Sequence, residues 1–340
     1  MLQGQEKKLS DDGVGTGIFD ELILAASGND QLGREIATTL RARFVSSGYQ
    51  RFANSEISIQ IEDNVRLKRV VVVGCGSRGL NGQSTNDSAI ETFAIIDALT
   101  RASVKSITLV LPYYPYSKQE KKTAGRQPIT AKVIANFVEL FKMVNSVIVV
   151  DLHAPAIQGF FDISVDNLYA RPTHLEYLRD RGWGGKRVIV VSPDAGGVAR
   201  ARSYAERLGT GFADLSKLRD RDNQIQSHGM AGNVAGYRCL IVDDLVQSGG
   251  TLFSAADLLI SQGATEVSAV TTHADFCGDV PVRLQASQLK ELIVTDTVPF
   301  AFAENVIACD KITVLSLVPL LAEAIRQHSQ QDGSISKLFD

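Results

Sequence analysis

The sequence predicts an α/β fold of two tandem units, each a mostly parallel sheet flanked by helices. Three observations predict it. Short β-branched runs alternate with helix-length amphipathic segments along the chain, the order that builds α/β layers with right-handed crossovers. Most of the runs lack period-2 alternation, as strands covered on both faces of a parallel sheet do. The pattern also runs twice. Each half has a strand, a long helix and a strand ending in acidic or histidine residues, Asp151-Leu-His-Ala154 and Val242-Asp-Asp-Leu245.

In chain order, the predicted strands are Leu22–Ala26, Val70–Gly74, Ile107–Leu111, Val147–Asp151, Val188–Ser192, Cys239–Asp243 and Val267–Thr272. The predicted helices are Asp30–Arg43, Asn86–Ala102, Thr130–Met143, Pro172–Asp180, Ala195–Leu208, Gly250–Gln262 and Ser316–His328. Asn86 suits a helix start and Gly263 a helix stop. The junction between the units is expected near Val165–Pro172. Residues 1–17, polar and Gly-rich with no apolar centre, read as a flexible extension.

Length and composition narrow the function. A chain of 340 residues accommodates two ordinary domains. Its 44% hydrophobic and 21% charged residues fit a globular protein. With 35 basic and 38 acidic side chains the net charge is −3, so no global excess points to nucleic acid or to a membrane surface. No apolar run reaches the roughly 20 residues of a membrane helix. Ser336-Lys337-Leu338 is followed by Phe339 and Asp340, so it is not read as a peroxisomal signal. Cys75, Cys239, Cys277 and Cys309 form no CxxC pair. A reducing, cytoplasmic setting is expected rather than a disulfide framework.

The sharpest chemical signal is Leu240-Ile-Val-Asp-Asp-Leu-Val-Gln-Ser-Gly-Gly-Thr-Leu252. An apolar strand ends in two carboxylates, and a small-residue turn opens directly into a helix. Gly249 and Gly250 let successive backbone N–H groups point into one concavity. With the Ser248 and Thr251 hydroxyls and a helix N-terminus behind them, that concavity suits a phosphate monoester. Asp243 and Asp244 suit ribose hydroxyls or a magnesium ion. A bare strand–turn–helix is the simpler account, but it needs neither the paired carboxylates nor the hydroxyls.

Two further strands end alike, at Asp151-Leu-His-Ala-Pro155 and at Ser192-Pro-Asp-Ala-Gly-Gly197. His153 and Asp194 are therefore expected to converge as a metal–nucleotide site. Pro112-Tyr-Tyr-Pro-Tyr-Ser-Lys-Gln-Glu-Lys-Lys122 is an aromatic–proline turn with a basic flap, either a solvated loop or a polyphosphate contact. Phe52-Ala-Asn-Ser-Glu56 offers a ring, an amide and a carboxylate, a weak signal for an adenine platform. Lys217-Leu-Arg-Asp-Arg-Asp-Asn223 is either an exposed charged run or a closing lid.

Together these segments resemble the ribose-phosphate pyrophosphokinase (phosphoribosyl pyrophosphate synthetase) family. The resemblance runs from about Ile18 to Phe339. It is most specific at Asp151–Asp162 (DLHAPAIQGFFD) and Val165–Tyr169, with Ser192–Gly197 and Gly263–Val267 adding to it. It implies two phosphoribosyltransferase-like domains, at 18–169 and 170–328, and a C-terminal segment at 329–340. It further implies synthesis of phosphoribosyl pyrophosphate from ATP and ribose 5-phosphate, with release of AMP and a need for Mg2+. Family members usually assemble as hexamers built from dimers, with nucleotide sites at subunit contacts.

Carried over by position, Phe52, Asn54, Ser55 and Glu56 would hold adenine, and Lys118 and Gln119 would face the ATP phosphates. His153 and Asp194 would sit at the magnesium–ATP site. Lys217 and Arg219 match the family's catalytic Lys-x-Arg loop. Arg219, Asp243, Asp244 and the segment Gln247, Ser248, Gly249, Gly250 and Thr251 would hold ribose 5-phosphate. Arg126, Gln158, Ser334, Ile335, Ser336 and Phe339 match an allosteric phosphate/ADP site of the regulated class.

Three departures stand out. Gln247-Ser248 replaces the usual Asp-Thr and resembles a phosphate-independent class. Lys118 stands where Arg is common, exchanging a bidentate fork for a point charge. Gly76–Thr85 reads as a loop insertion. The rival functions are a non-catalytic regulatory paralogue, a phosphoribosyltransferase and a plain nucleotide-binding module. The retained Lys217/Arg219 pair, the duplicated domain and the ribose-phosphate loop speak against them in turn.

Overall fold

The computed structural model describes residues 19–80, 82–215, 233–299, 303–330 and 332–338. In the first half the chain runs β1 (Leu22–Ala25), α1 (Asp30–Leu40), β2 (Phe44–Val45), β3 (Ser47–Arg51), β4 (Ile57–Ile61), β5 (Arg69–Val73) and α2 (Thr85–Arg101). It continues with β6 (Ser106–Leu111), α3 (Thr130–Glu139), β7 (Val144–Val150) and β8 (Ser164–Leu168). The second half comprises α4 (Arg171–Asp180), β9 (Val188–Ser192), α5 (Val198–Leu208), β10 (Gly211–Asp214), β11 (Arg238–Leu245), α6 (Gly250–Ser261) and β12 (Glu266–His273). It ends with α7 (Val280–Ala286), β13 (Leu292–Thr295), α8 (Glu304–Ile307), β14 (Ile312–Leu315) and α9 (Val318–Ser329).

Two six-stranded sheets result, in the orders β2-β1-β5-β6-β7-β8 and β10-β9-β11-β12-β13-β14. Every pairing within them is parallel. The central strands are solidly apolar: Val70–Val73 and Val188–Val191 are all buried, as strands covered on both faces must be. In the first sheet α2 and α3 cover one face through Ile95, Leu99, Ile134 and Val138. In the second, Leu252, Phe253 and Leu284 cover one face, and Leu178, Trp183 and Tyr204 the other. No helix among the described residues is long and apolar enough to cross a membrane.

Three details differ from the sequence expectations or add to them. The second predicted helix starts at Ser84, not Asn86. Ser84 Oγ accepts from Asp87 N at 3.2 Å and Asp87 Oδ2 accepts from Ser84 N at 2.8 Å; this reciprocal box satisfies two groups where Asn86 would satisfy one. Gly263 does follow the last turn of α6, with φ at +87°. The last helix leaves its own sheet: α9 packs on the other face of the first sheet, where Leu321 and Ile325 join Leu32 and Ile36 of α1.

Candidate functional site between the two sheets

Both sheets reverse direction in strand order at one point, between β1 and β5 and between β9 and β11. Ligands of open α/β sheets bind beyond the carboxyl ends of the strands at such points. In the first sheet that space is filled by the protein itself. Glu91, fully buried, accepts from Ser27 N at 2.7 Å, Ser27 Oγ at 2.9 Å and Gln83 Nε2 at 2.9 Å. Asn29 Nδ2 donates to Gly74 O at 2.7 Å. The 76–85 loop supplies Gln83 and brings Gly76 so close to Tyr113 O that a Cβ would lie 1.9 Å from it.

In the second sheet the same place is open. A cleft of about 540 Å³ lies there, lined by Asp194, Arg200, Asp243, Asp244 and the 245–252 turn, with Lys118, Lys121 and His153 of the first domain opposite. Gly249, at φ +71°, makes the turn that starts α6. A Cβ there would meet the Phe253 ring at 2.5 Å, so glycine is required for conformation and space alike. Gly250, Thr251 and the Ser248 hydroxyl follow at the cleft floor, while Arg283 Nη1 donates to Ser248 O at 2.6 Å from behind. The open N–H groups of α6 thus face the cleft.

A charged chain crosses the cleft. His153 Nδ1 lies 2.7 Å from Asp244 Oδ2, and Arg200 Nη1 lies 3.3 Å from Asp244 Oδ1 and 3.7 Å from Asp243 Oδ1. Burial alone would raise Asp244, but the His153 hydrogen bond and the Arg200 charge outweigh it and hold this carboxyl low. Asp243 is pushed up by burial and by the charge of Asp244. The bond to Asp244 raises the His153 imidazole against the effect of burial. Burial disfavours the Arg200 charge, yet Asp244, Asp151 and Asp243 together raise its pKa. Arg200 had no place in the sequence reading. Its signal was position: the first turn of the helix that follows Asp194 aims a cation at any carboxylates on the next strand.

The other candidate residues are scattered by comparison. Gln119 Oε1 accepts from Thr130 Oγ1 at 2.7 Å, at the start of α3. Phe52, Asn54, Ser55 and Glu56 form the tip of the β3–β4 hairpin, with Phe52 44% exposed. Arg126 lies on the exposed loop before α3 and Gln158 on the turn after β7. Ser334 N donates to Gln327 Oε1 at 3.0 Å beyond α9, followed by Ile335 and Ser336. Lys217, Arg219 and Phe339 lie outside the described residues.

Among the described residues no three His, Cys, Asp or Glu side chains are grouped to hold a metal by themselves. His153 and Asp194 do line one cleft. Asp194 Oδ1 is occupied by Gly197 N at 2.9 Å and His153 Nδ1 by Asp244, which leaves Asp194 Oδ2 and His153 Nε2. So few protein donors suit a hard cation that keeps most of its shell for water and phosphate oxygens.

Comparison with known proteins follows both domains. A model for the N-terminal domain of ribose phosphate pyrophosphokinase matches residues 22–141, and a phosphoribosyl transferase domain model matches 164–305. Ribose-phosphate pyrophosphokinase of Maricaulis maris is 42% identical over 318 residues, 94% of this chain and 99% of that protein. Ribose-phosphate pyrophosphokinase A of Dictyostelium discoideum is 39% identical over 93% of this chain and 97% of its own. The crystal structure of phosphoribosylpyrophosphate synthetase from Mycobacterium smegmatis superposes with a TM-score of 0.80 at 33% identity, covering 91% of this chain and 98% of that one.

Proposed function

The chain belongs to the ribose-phosphate pyrophosphokinase family, and on that premise we propose that ATP and ribose 5-phosphate react in the cleft between its two domains. The protein is an enzyme of the ribose-phosphate diphosphokinase type, converting these substrates to AMP and 5-phospho-α-D-ribose 1-diphosphate. One observation carries the location: His153, from the first domain, meets Asp244, at the end of β11 just before the ribose-phosphate turn, at 2.7 Å.

The anomeric hydroxyl of ribose 5-phosphate attacks the β-phosphorus of ATP in line and AMP leaves, so the protein's work is positioning and charge neutralisation. Ser248, Gly249, Gly250 and Thr251, with the N-terminus of α6, hold the 5-phosphate. Asp243 and Asp244 accept hydrogen bonds from ribose hydroxyls, and Arg200 keeps the two carboxylates in register. Lys118 meets the polyphosphate from the opposite wall. His153 and Asp194 are the residues that would hold a magnesium ion, which would supply Lewis acidity at the phosphates. Lys217 and Arg219, outside the described residues, are the cations proposed to neutralise charge on the transferring group.

The working domains are 18–169 and 170–328, the latter sending α9 (Val318–Ser329) across to the first sheet, and 329–340 is a regulatory segment. The hairpin tip 52–56 is absent from the cleft lining, which supports an adenine site completed by another copy in a dimer-based homo-oligomer. Phosphate and ADP are the effectors expected near Arg126, Gln158 and 334–339. Incubation with ATP, ribose 5-phosphate and Mg2+ is expected to release AMP without a nucleobase. No AMP with intact ATP binding would instead identify a regulatory paralogue, and AMP only when a base is added would identify a base-dependent transfer.

A further inference from the structure

We propose that Gln247 is a positioning residue that ties the two substrate walls together through its carboxamide. Gln247 Oε1 accepts from Lys118 Nζ of the first domain at 2.8 Å, and Gln247 Nε2 donates to Asp275 Oδ2 of the second at 2.8 Å. The inference rests on the reading of Lys118 as a phosphate contact. Lys118 and Gln247, two positions at which the chain departs from the pattern it resembles, are the two ends of one hydrogen bond.

The chemistry requires an amide. A carboxylate at 247 would still accept from Lys118 but would face Asp275, and an amine would donate to Asp275 but repel Lys118. Asp275 is itself buried at 5% exposure, where a second unpaired negative charge is strongly disfavoured. Its surroundings are fixed: Cys277 N donates to Gln247 O at 2.9 Å, and Val246 N to His273 O at 2.9 Å. Arg78, from the 76–85 loop, donates to Phe276 O, so this loop braces the same segment from the first domain.

Lys118 is an exposed side chain. Free lysines surrender considerable rotamer entropy when they engage a phosphate. Held against Gln247, the ammonium is already ordered over the ribose-phosphate turn, and its remaining N–H groups are available to the nucleotide.

A double-mutant cycle tests this, with steady-state AMP formation and MgATP affinity by titration calorimetry as separate readouts. Gln247→Ala is expected to raise KM for ATP and weaken MgATP binding about five- to tenfold. Lys118→Met should do at least as much, and the double variant should be within about twofold of Lys118→Met. Independent, multiplying losses would overturn the tie.

Gln247→Glu is expected to lose about tenfold or more in kcat/KM, because two carboxylates then meet. Combining it with Asp275→Asn should restore activity to within about threefold of the unaltered protein, since the donor amide now comes from position 275. A glutamine that does not depend on its pairing with Asp275 predicts no such restoration, so a double variant no better than Gln247→Glu overturns the proposal, and the ATP KM and calorimetric readouts separate positioning from a purely structural role. Failure of the unaltered protein to make AMP would instead refute the functional reading, while the calorimetric cycle still decides on the tie.

Discussion

His174, on α4, is 1% exposed, and its Nδ1 lies 2.7 Å from the Tyr204 hydroxyl on α5. Burial pushes its pKa from the ordinary 6.5 down to about 4, against the partial attraction of Asp151. The unfolded chain therefore binds a proton between those values that the folded chain refuses. Stability is full above pH 6.5 and falls, by a slope of about one proton, as pH drops toward 4. His174→Asn, which keeps an acceptor and removes the titration, is expected to flatten that slope by about one proton in urea unfolding across the window; an unchanged slope would remove His174 from the acid response. A second residue-level expectation concerns turnover. Lys217→Ala should slow AMP release about 10²- to 10³-fold with modest change in ATP affinity, the loss typical of one transition-state contact. Near-normal turnover would take Lys217 out of the reaction. Residues that announce themselves by spacing, such as Asp243, Asp244 and Gly249, were legible one by one. Arg200 and Asp275 were not, because an Arg in a helix and an Asp after a strand carry no local sign of the carboxylates and amides they meet across the fold.

Strands with both faces covered were the most legible elements, since an unbroken β-branched run such as Val70–Val73 has little other use. The short edge strands were harder. β2 has two residues, and β3 and β4 carry mostly part-exposed residues, so too little hydrophobic pattern marks them. Helix ends follow side-chain chemistry rather than periodicity, and α2 illustrates it. Because Ser84 and Asp87 satisfy each other's backbone N–H groups, Ser84→Ala should cost about 1 kcal/mol of stability. A modest fall in the thermal midpoint with KM for both substrates unchanged is the expected outcome. An unchanged midpoint would mean that solvent replaces the cap fully. The 76–85 loop behaves differently. Its residues look like a polar surface loop, yet Ser77 and Gln83 are buried, because the loop fills the first sheet's switch point and leaves only the second one open to substrate.

At the scale of the whole molecule, the two sheets are joined more deeply than a linker near residue 170 would suggest. The chain leaves β14 of the second sheet at Leu315, turns at Ser316 and Leu317, where Leu317 N donates to Asp296 Oδ1 at 2.8 Å, and crosses to the first sheet as α9. There Leu321 and Ile325 are essentially fully buried, and His328 Nε2 lies 2.8 Å from Ser146 Oγ on β7. The 3.6-residue period told that α9 is amphipathic but not which sheet it covers, because both sheets offer an apolar face of the same kind. The consequence is that the last helix stabilises the domain made first. Leu321→Ala should destabilise by about 2–5 kcal/mol, a large share of the roughly 5–15 kcal/mol that holds a domain folded. The loss is expected as faster hydrogen exchange in β1 and β5, with β11 and β12 affected less. Equal loss in both sheets would mean that the domains unfold as one unit, and greater loss in β11 and β12 would contradict the crossing of α9. Because His153 and Lys118 follow the carboxyl ends of β7 and β6 of the first sheet, the same variant should lose affinity for MgATP before it loses the ribose-phosphate turn.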